Sequence, residues 1–212
     1  MEQRIKCVLF DLDGTLINTN DLVIASFKHT VRKHLNKDVA EEELYRYFGE
    51  PLIDIMRKLA PDQADEMVKT YREFNLNKHD ELAAPFPGAA EMLADLDRRG
   101  FRLGVVTSKI RHMAERGLRL FELDRWMDVL VGFEDTEYHK PHPEPIHTAL
   151  DRLDTQPREV LMVGDSPFDL ECARNAGVMS AAVKWSVHPT ERLLSYKPDI
   201  FLNSFHELPE IV

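Results

Sequence analysis

Ile5-Lys6-Cys7-Val8-Leu9-Phe10-Asp11-Leu12-Asp13-Gly14-Thr15 decides the reading of this chain. A short, mostly apolar run leads directly into two carboxylates and a glycine. Such a run suits a strand buried in a parallel sheet, and the polar residues after it suit the loop at its carboxyl end. The pattern recurs. Residues 103–106 precede Thr107-Ser108, residues 129–131 precede Gly132, and residues 160–163 precede Gly164-Asp165. Residues 181–183 form another apolar run, and residues 199–202 suit a last edge strand. Helical stretches lie between them. Residues 89–99 carry Ala90, Leu93, Ala94 and Leu96 at helical spacing, with Gly100 placed to close the helix. Residues 143–153 and 167–176 behave alike, and Gly177 closes the second. Strands alternating with helices predict an α/β fold with a doubly wound parallel sheet. In such sheets ligands bind outside the carboxyl ends of the strands, which is where Asp11, Asp13, Thr107 and Asp165 fall.

Residues 18–83 break the alternation. They read as four helical stretches, 22–35, 41–47, 52–59 and 62–82, with little strand character. The expected organisation is therefore a core of residues 1–17 and 84–212 and a small helical domain of residues 18–83. Pro85 and Pro87-Gly88 suit an exposed connection on the way back.

Bulk properties narrow the function. The chain has 212 residues, enough for one domain with an insertion. Its formal net charge of −10 argues against binding nucleic acid or an anionic membrane surface. A small anionic substrate remains compatible, because a local cluster of cations and amides overcomes a distant field. No apolar run approaches the ~20 residues of a membrane helix. Met1-Glu2-Gln3-Arg4 leads into the first strand without a leader pattern, so a cytoplasmic monomer is expected. Cys7 and Cys172 lack metal-ligand or redox spacing and read as reduced packing thiols.

The chemistry centres on the acids. Asp11 and Asp13, two residues apart at a strand end, face the same side. Carboxylates this close repel, and a divalent cation relieves the repulsion. Mg²⁺ suits the pair, being a hard ion that takes one or two carboxylates with substrate phosphate and water. Alone, the pair would read as a solvated turn. A third acid cluster, Gly164-Asp165-Ser166 with Asp169 one helical turn on, matches it and favours the functional reading. Phosphoryl oxygens need positive charge and hydrogen-bond donors. Lys140, in the Pro-rich stretch His139-Lys140-Pro141-His142-Pro143, supplies the first, although most lysines in such loops are merely solvated. Thr107 or Ser108 supplies a hydroxyl, or else caps the next helix.

Taken together, Asp11-Leu12-Asp13-Gly14-Thr15, Thr107, Lys140 and Gly164-Asp165-Ser166 with Asp169 resemble the four motifs of the haloacid dehalogenase (HAD) superfamily, in order and across the whole chain. The insertion resembles that family's helical cap. This resemblance implies Asp11 as the nucleophile and Asp13 as the acid and then the base. It implies Mg²⁺ held by Asp11, the main-chain carbonyl of Asp13, and Asp165, with Asp169 supporting from behind. An acid at position 13 argues against dehalogenation. Ile17-Asn18-Thr19-Asn20, Ile24-Ala25-Ser26-Phe27, Tyr71-Arg72, Phe74-Asn75, His79-Asp80-Glu81-Leu82, Lys109 and Tyr196-Lys197-Pro198-Asp199 are similar to the bacterial inorganic pyrophosphatase branch. That implies hydrolysis of pyrophosphate.

The helical insertion offers a partner for the second phosphate. Arg72, Asn75 and His79 stand at i, i+3 and i+7 on one helix face, with Ser108 and Lys109 at the core edge. A solvated face is the competing reading. Glu50, in Gly49-Glu50-Pro51, fits an anionic substrate poorly and is expected to point to solvent. His142 and His147 read as surface residues. Two alternatives stand beside pyrophosphate hydrolysis, and a third, an inactive binding relative, is disfavoured because no motif residue is missing. One is a phosphatase for phosphoglycolate or another small phosphomonoester, with the same core motifs. The other is a phosphate-accepting receiver module, which would lack the large insertion.

Overall fold

The computed structural model describes residues 5–212; the reading of Met1-Glu2-Gln3-Arg4 lies outside the described residues. Strand β1 (Cys7–Phe10) leads to the two-residue β2 (Ile17–Asn18). Four helices follow, α1 (Asn20–Leu35), α2 (Glu41–Tyr45), α3 (Leu52–Leu59) and α4 (Ala64–Leu82). The chain returns through β3 (Ala84–Pro85). The alternating part then runs α5 (Ala89–Arg98), β4 (Arg102–Val106), α6 (Arg111–Leu120), β5 (Val129–Val131), α7 (Glu144–Leu153), β6 (Val160–Gly164), α8 (Pro167–Ala176), β7 (Met179–Val183), α9 (Thr190–Ser195), β8 (Ile200–Leu202) and α10 (Leu208–Ile211).

Six strands form one parallel sheet in the order β5-β4-β1-β6-β7-β8. The doubly wound expectation is met, with residues 200–202 on the edge. Side-chain alternation along β1 explains the layers. Val8 and Phe10 join Leu93 and Leu96 of α5, Ala114 and Leu118 of α6, and Leu208 of α10 on one face. Cys7 and Leu9 join Ile146 and Leu150 of α7 and Ala173 of α8 on the other. Burial on both faces is why these strands read as continuous apolar runs. The two cysteines are buried free thiols, as expected, and burial is the main cause pushing each up to about 12.

Helices α1 to α4 bury a separate apolar cluster that includes Phe27, Leu44, Phe48, Met56, Met67 and Tyr71. Phe27 and Tyr71 meet edge to face at 5.0 Å. Entry to and exit from this helical unit are tied together: β2 and β3 pair antiparallel, Ile17 with Pro85 and Asn18 with Ala84. The connection at Pro85 is exposed, as expected, but it is also a paired strand. No helix among the described residues is long and apolar enough to cross a membrane.

Candidate active site

The order of the sheet decides what can meet. Strand β1 lies between β4 and β6, so the loops at their carboxyl ends converge. Asp11 follows β1, Thr107 follows β4 and Asp165 follows β6. All three are nearly buried, at 6%, 6% and 3% exposure. The loop between β5 and α7 delivers Lys140 from the side. Its ammonium donates to Asp11 Oδ1 at 2.7 Å, Asp169 Oδ1 at 2.5 Å and the Val106 carbonyl at 3.1 Å. Sequence reasoning placed Lys140 against phosphoryl oxygens, and the structure places it against the Asp11 carboxylate.

Asp169 sits at the third position of α8, where it closes a capping box with Ser166. Its Oδ2 accepts from the Ser166 main chain at 3.0 Å and the Ser166 hydroxyl at 2.6 Å. Both Asp169 oxygens are therefore occupied by protein donors. Asp165 is less satisfied, with Thr15 Oγ1 donating to Oδ1 at 3.3 Å. Asp11, Asp165 and Asp169 each bring an oxygen into a group spanning no more than 4.8 Å. Of these, Asp11 and Asp165 line the cleft, whereas Asp169, like Lys140, does not.

Electrostatics follow from this crowding. Burial pushes Asp11 up to about 7, Lys140 works against the rise, and Asp169 and Asp13 add to it. Burial and then Asp11 and Asp169 raise Asp165 well above the usual carboxylate range. Burial disfavours the Lys140 ammonium, but Asp11 and Asp169 outweigh it and hold it well above the ordinary lysine value. Two of the three buried carboxylates, Asp11 and Asp169, thus bond the Lys140 ammonium, and Asp11 and Asp165 reach the cleft. This set of hard oxygen donors fits a divalent cation. Gly14 completes the cradle. Its φ is +83°, and a Cβ there would stand 2.5 Å from Asp165 Oδ2, so only glycine lets the loop close on that carboxylate.

Asp13 is half-buried, lines the cleft and stands outside the group of three acids. Oδ1 accepts from Thr19 Oγ1 at 3.0 Å and from Lys109 Nζ at 2.8 Å. Lys109 is thus paired with Asp13 rather than held out toward the helical unit. Thr107 Oγ1 accepts from the Lys109 main chain at 3.2 Å. The next helix starts only at Arg111, so Thr107 makes a local turn and does not cap it. Ser108 donates across the cleft to the Gly49 carbonyl at 3.3 Å.

The helix-face expectation is met only in part. Arg72 is exposed and Asn75 is buried, and both line the cleft. Asn75 spends its amide on Ser26 Oγ at 3.2 Å. His79 does not join them. It is fully buried, its Nδ1 is 2.9 Å from Asp80 Oδ1, and its Nε2 has no partner. A Cβ added to Gly117 of α6 would come within 3.4 Å of that Nε2, which places His79 where α4 packs on α6. Glu50 also departs from expectation. Its carboxylate is mostly covered and forms an ion pair with Lys58 of α3. His142 and His147 are exposed, as read from sequence.

Between the two units lies a cavity of about 910 Å³. Its floor carries Asp11, Asp13, Thr107, Ser108, Lys109 and Asp165. The helical unit contributes apolar groups, among them Val23, Phe27, Leu52, Ile53 and Leu76, beside the arginines Arg57 and Arg72 and the acids Glu50, Asp54, Asp65 and Glu73. Residues that carried no sequence signal also hold the loops around this cleft. After β7, Trp185 donates to the Thr15 carbonyl at 3.1 Å and Ser186 donates to the Asp165 carbonyl at 2.5 Å.

Known proteins match this architecture. A family model described as haloacid dehalogenase-like hydrolase matches residues 8–183. A relative from Caldanaerobacter subterraneus subsp. tengcongensis, provisionally named pyrophosphatase PpaX, is 50% identical over 99% of this chain and 95% of its own. Pyrophosphatase PpaX of Bacillus cereus (strain G9842) is 43% identical over 99% of this chain and 97% of its own. Among solved structures, a haloacid dehalogenase-like family hydrolase from Streptococcus pneumoniae superposes with a TM-score of 0.89. It is 26% identical and covers 100% of this chain and 99% of its own.

Proposed function

We propose, from the premise that the chain belongs to the haloacid dehalogenase-like hydrolase family, that it hydrolyses inorganic pyrophosphate through an aspartyl phosphate on Asp11. The observation that carries the reading is the end of β1. There a buried carboxylate faces the cleft, held at 2.7 Å by the Lys140 ammonium, in a chain 41–50% identical to relatives named pyrophosphatases. Residues 18–83 act as a cap over a core formed by residues 1–17 and 84–212.

Asp11, the main-chain carbonyl of Asp13, and Asp165 would hold Mg²⁺. When bound, the ion supplies charge neutralisation for the phosphoryl oxygens and for the acid cluster. The chain's own groups do the rest. An Asp11 oxygen forms a bond to phosphorus as the bond from phosphorus to the bridging oxygen breaks. Asp13, which lines the cleft, gives a proton to the departing phosphate. It then takes one from the water that attacks phosphorus and releases Asp11. Lys140 steadies the nucleophile and the developing charge, and Asp169 positions Lys140. Thr107 and Ser108 offer hydroxyl donors to the transferring group. Arg72, with Lys109 freed from Asp13, meets the leaving phosphate, and Asn75 lines the path. His79 has no part in contacting substrate in this scheme, because it is buried against α6.

A second reading rests on the cavity. A volume of about 910 Å³ is at the upper end of what drug-sized ligands occupy and exceeds what a diphosphate fills. The apolar side chains on its cap wall suit an organic leaving group, which favours a phosphomonoesterase built on the same core. Initial rates with Mg²⁺ on pyrophosphate, phosphoglycolate, sugar phosphates and nucleotides, measured side by side, separate the two. Pyrophosphate should be hydrolysed with the highest kcat/KM. Brisk monoester hydrolysis beside little pyrophosphate hydrolysis would replace the first reading with the second.

A further inference from the structure

We propose that His188, oriented by Arg192, is a positioning residue that latches the cap loop at Phe48-Gly49 onto the catalytic core. The proposal deepens the hydrolase reading, on which it rests for its consequence in turnover. It concerns the loop between β7 and α9, which joins the catalytic loop, the Asp165 loop and the cap.

His188 is 4% exposed, although it lies in a connection. Its Nε2 is 3.3 Å from the Phe48 carbonyl, and its Nδ1 is 3.4 Å from an Arg192 guanidinium nitrogen. Arg192 can only donate, so Nδ1 accepts and the ring proton sits on Nε2, where it is donated to Phe48. The main chain of His188 donates to Ser186 Oγ at 2.9 Å, and that hydroxyl donates to the Asp165 carbonyl. Thus one short relay joins the cap loop to the main chain of Asp165, one of the acids of the site. Trp185 fixes the base of the relay by donating to Thr15, and Val187 packs against the apolar cluster of the cap.

The segment that His188 holds is shaped to be held. Gly49 has φ +90°, and a Cβ there would be 2.5 Å from Ser166 Oγ. Ser108 donates to the Gly49 carbonyl. Phe48 belongs to the cap core, so a grip on its carbonyl is a grip on the cap. Closure of a cap excludes water and brings the substrate-facing wall over the reacting groups. His188 therefore sets the fraction of molecules that are closed before substrate arrives. Apparent affinity scales with that fraction, whereas saturating substrate restores closure by its own contacts.

The test compares His188→Leu, which keeps bulk without a donor, with His188→Gln, whose amide can donate to Phe48. Hydrogen exchange is measured on the ligand-free proteins, and KM and kcat on pyrophosphate with Mg²⁺. In His188→Leu, peptides covering residues 46–51 should exchange about 5- to 10-fold faster, on the scale of one lost hydrogen bond, with peptides from β1 and β6 unchanged. KM should rise by a similar factor with kcat within about 2-fold. His188→Gln should recover most of both effects. Unchanged exchange at 46–51 in His188→Leu, or equal losses in His188→Gln and His188→Leu, would overturn the latch. A wild type inactive on pyrophosphate would sink the substrate reading and leave the exchange test of the latch intact.

Discussion

Replacing Lys140 with methionine removes the ammonium that Asp11 and Asp169 share. Gross attraction at 2.7 Å to Asp11 and 2.5 Å to Asp169 is roughly 6 to 7 kcal/mol each at an effective dielectric of ~20. Burial of the three ions offsets most of this, and taking one partner from a buried pair leaves a net loss of ~3–5 kcal/mol. With a urea dependence of ~2–3 kcal/mol per molar, the unfolding midpoint of metal-free protein should fall by ~1–2 M at pH 8. The sign with pH follows from the acids. Asp11 is already raised in the folded protein, and losing the opposing Lys140 raises it further. A carboxyl raised above its unfolded value binds its proton more tightly when folded, so it favours folding at low pH. That advantage is lost as pH climbs through the folded value. The deficit of the variant should therefore be small at pH 5 and grow toward pH 8. Adding Asp169→Asn, which neutralises one orphaned carboxylate, should recover ~1–2 kcal/mol. Chemical denaturation in EDTA across this pH range is the assay. A midpoint within ~0.3 M of wild type at pH 8, or a deficit that shrinks as pH rises, would refute the reasoning.

Other outcomes follow from the same geometry. In wild type, burial of Asp11 and Asp165 should make metal-free stability fall as pH rises from about 4 through about 7, and Mg²⁺ should raise Tm more at pH 8 than at pH 5; differential scanning fluorimetry with Mg²⁺ or EDTA checks this. Asp13→Asn should lower kcat by a factor of ~100 or more while Tm stays near wild type, since its carboxylate is half-exposed and held by Thr19 and Lys109; turnover within a few-fold would remove its acid-base role. Arg72→Ala should reduce kcat/KM on pyrophosphate by ~10- to 100-fold and on an aryl phosphate much less, with equal losses assigning Arg72 to the cap's structure.

The core could be read from the sequence because its strands are buried on both faces. Val8-Leu9-Phe10 and Leu161-Met162-Val163 are apolar at successive positions, and the acids after them stand out. Helix α6 shows no clear period in the sequence because its apolar positions, Met113, Ala114 and Leu118, are diluted by arginines, and Gly117 interrupts them. That glycine lies where α6 approaches Ile17 and His79. The paired strands β2 and β3 are two residues each, too short to show a period. In α4 the spacing of Arg72, Asn75 and His79 was legible but the surroundings of each were not. Asn75 and His79 are polar residues used as interior groups, one against Ser26 and one against α6. The acids of the site were identified in sequence, whereas the Trp185–His188 loop was not. Its partners are main-chain carbonyls of Thr15, Phe48 and Asp165, and a carbonyl acceptor leaves no mark on the sequence that supplies it.

The account turns on a covalent bond between Asp11 and phosphorus. Wild-type protein mixed with Mg²⁺ and radiolabelled pyrophosphate, quenched within milliseconds, reduced with borohydride and digested, reports that bond directly. Reduction of an aspartyl phosphate leaves homoserine, so mass spectrometry should find homoserine at position 11, absent without Mg²⁺ and absent from Asp11→Asn. Turnover in the same mixture with no modified aspartate, with the modification on another residue, or with Asp11→Asn as active as wild type, would contradict the assignment.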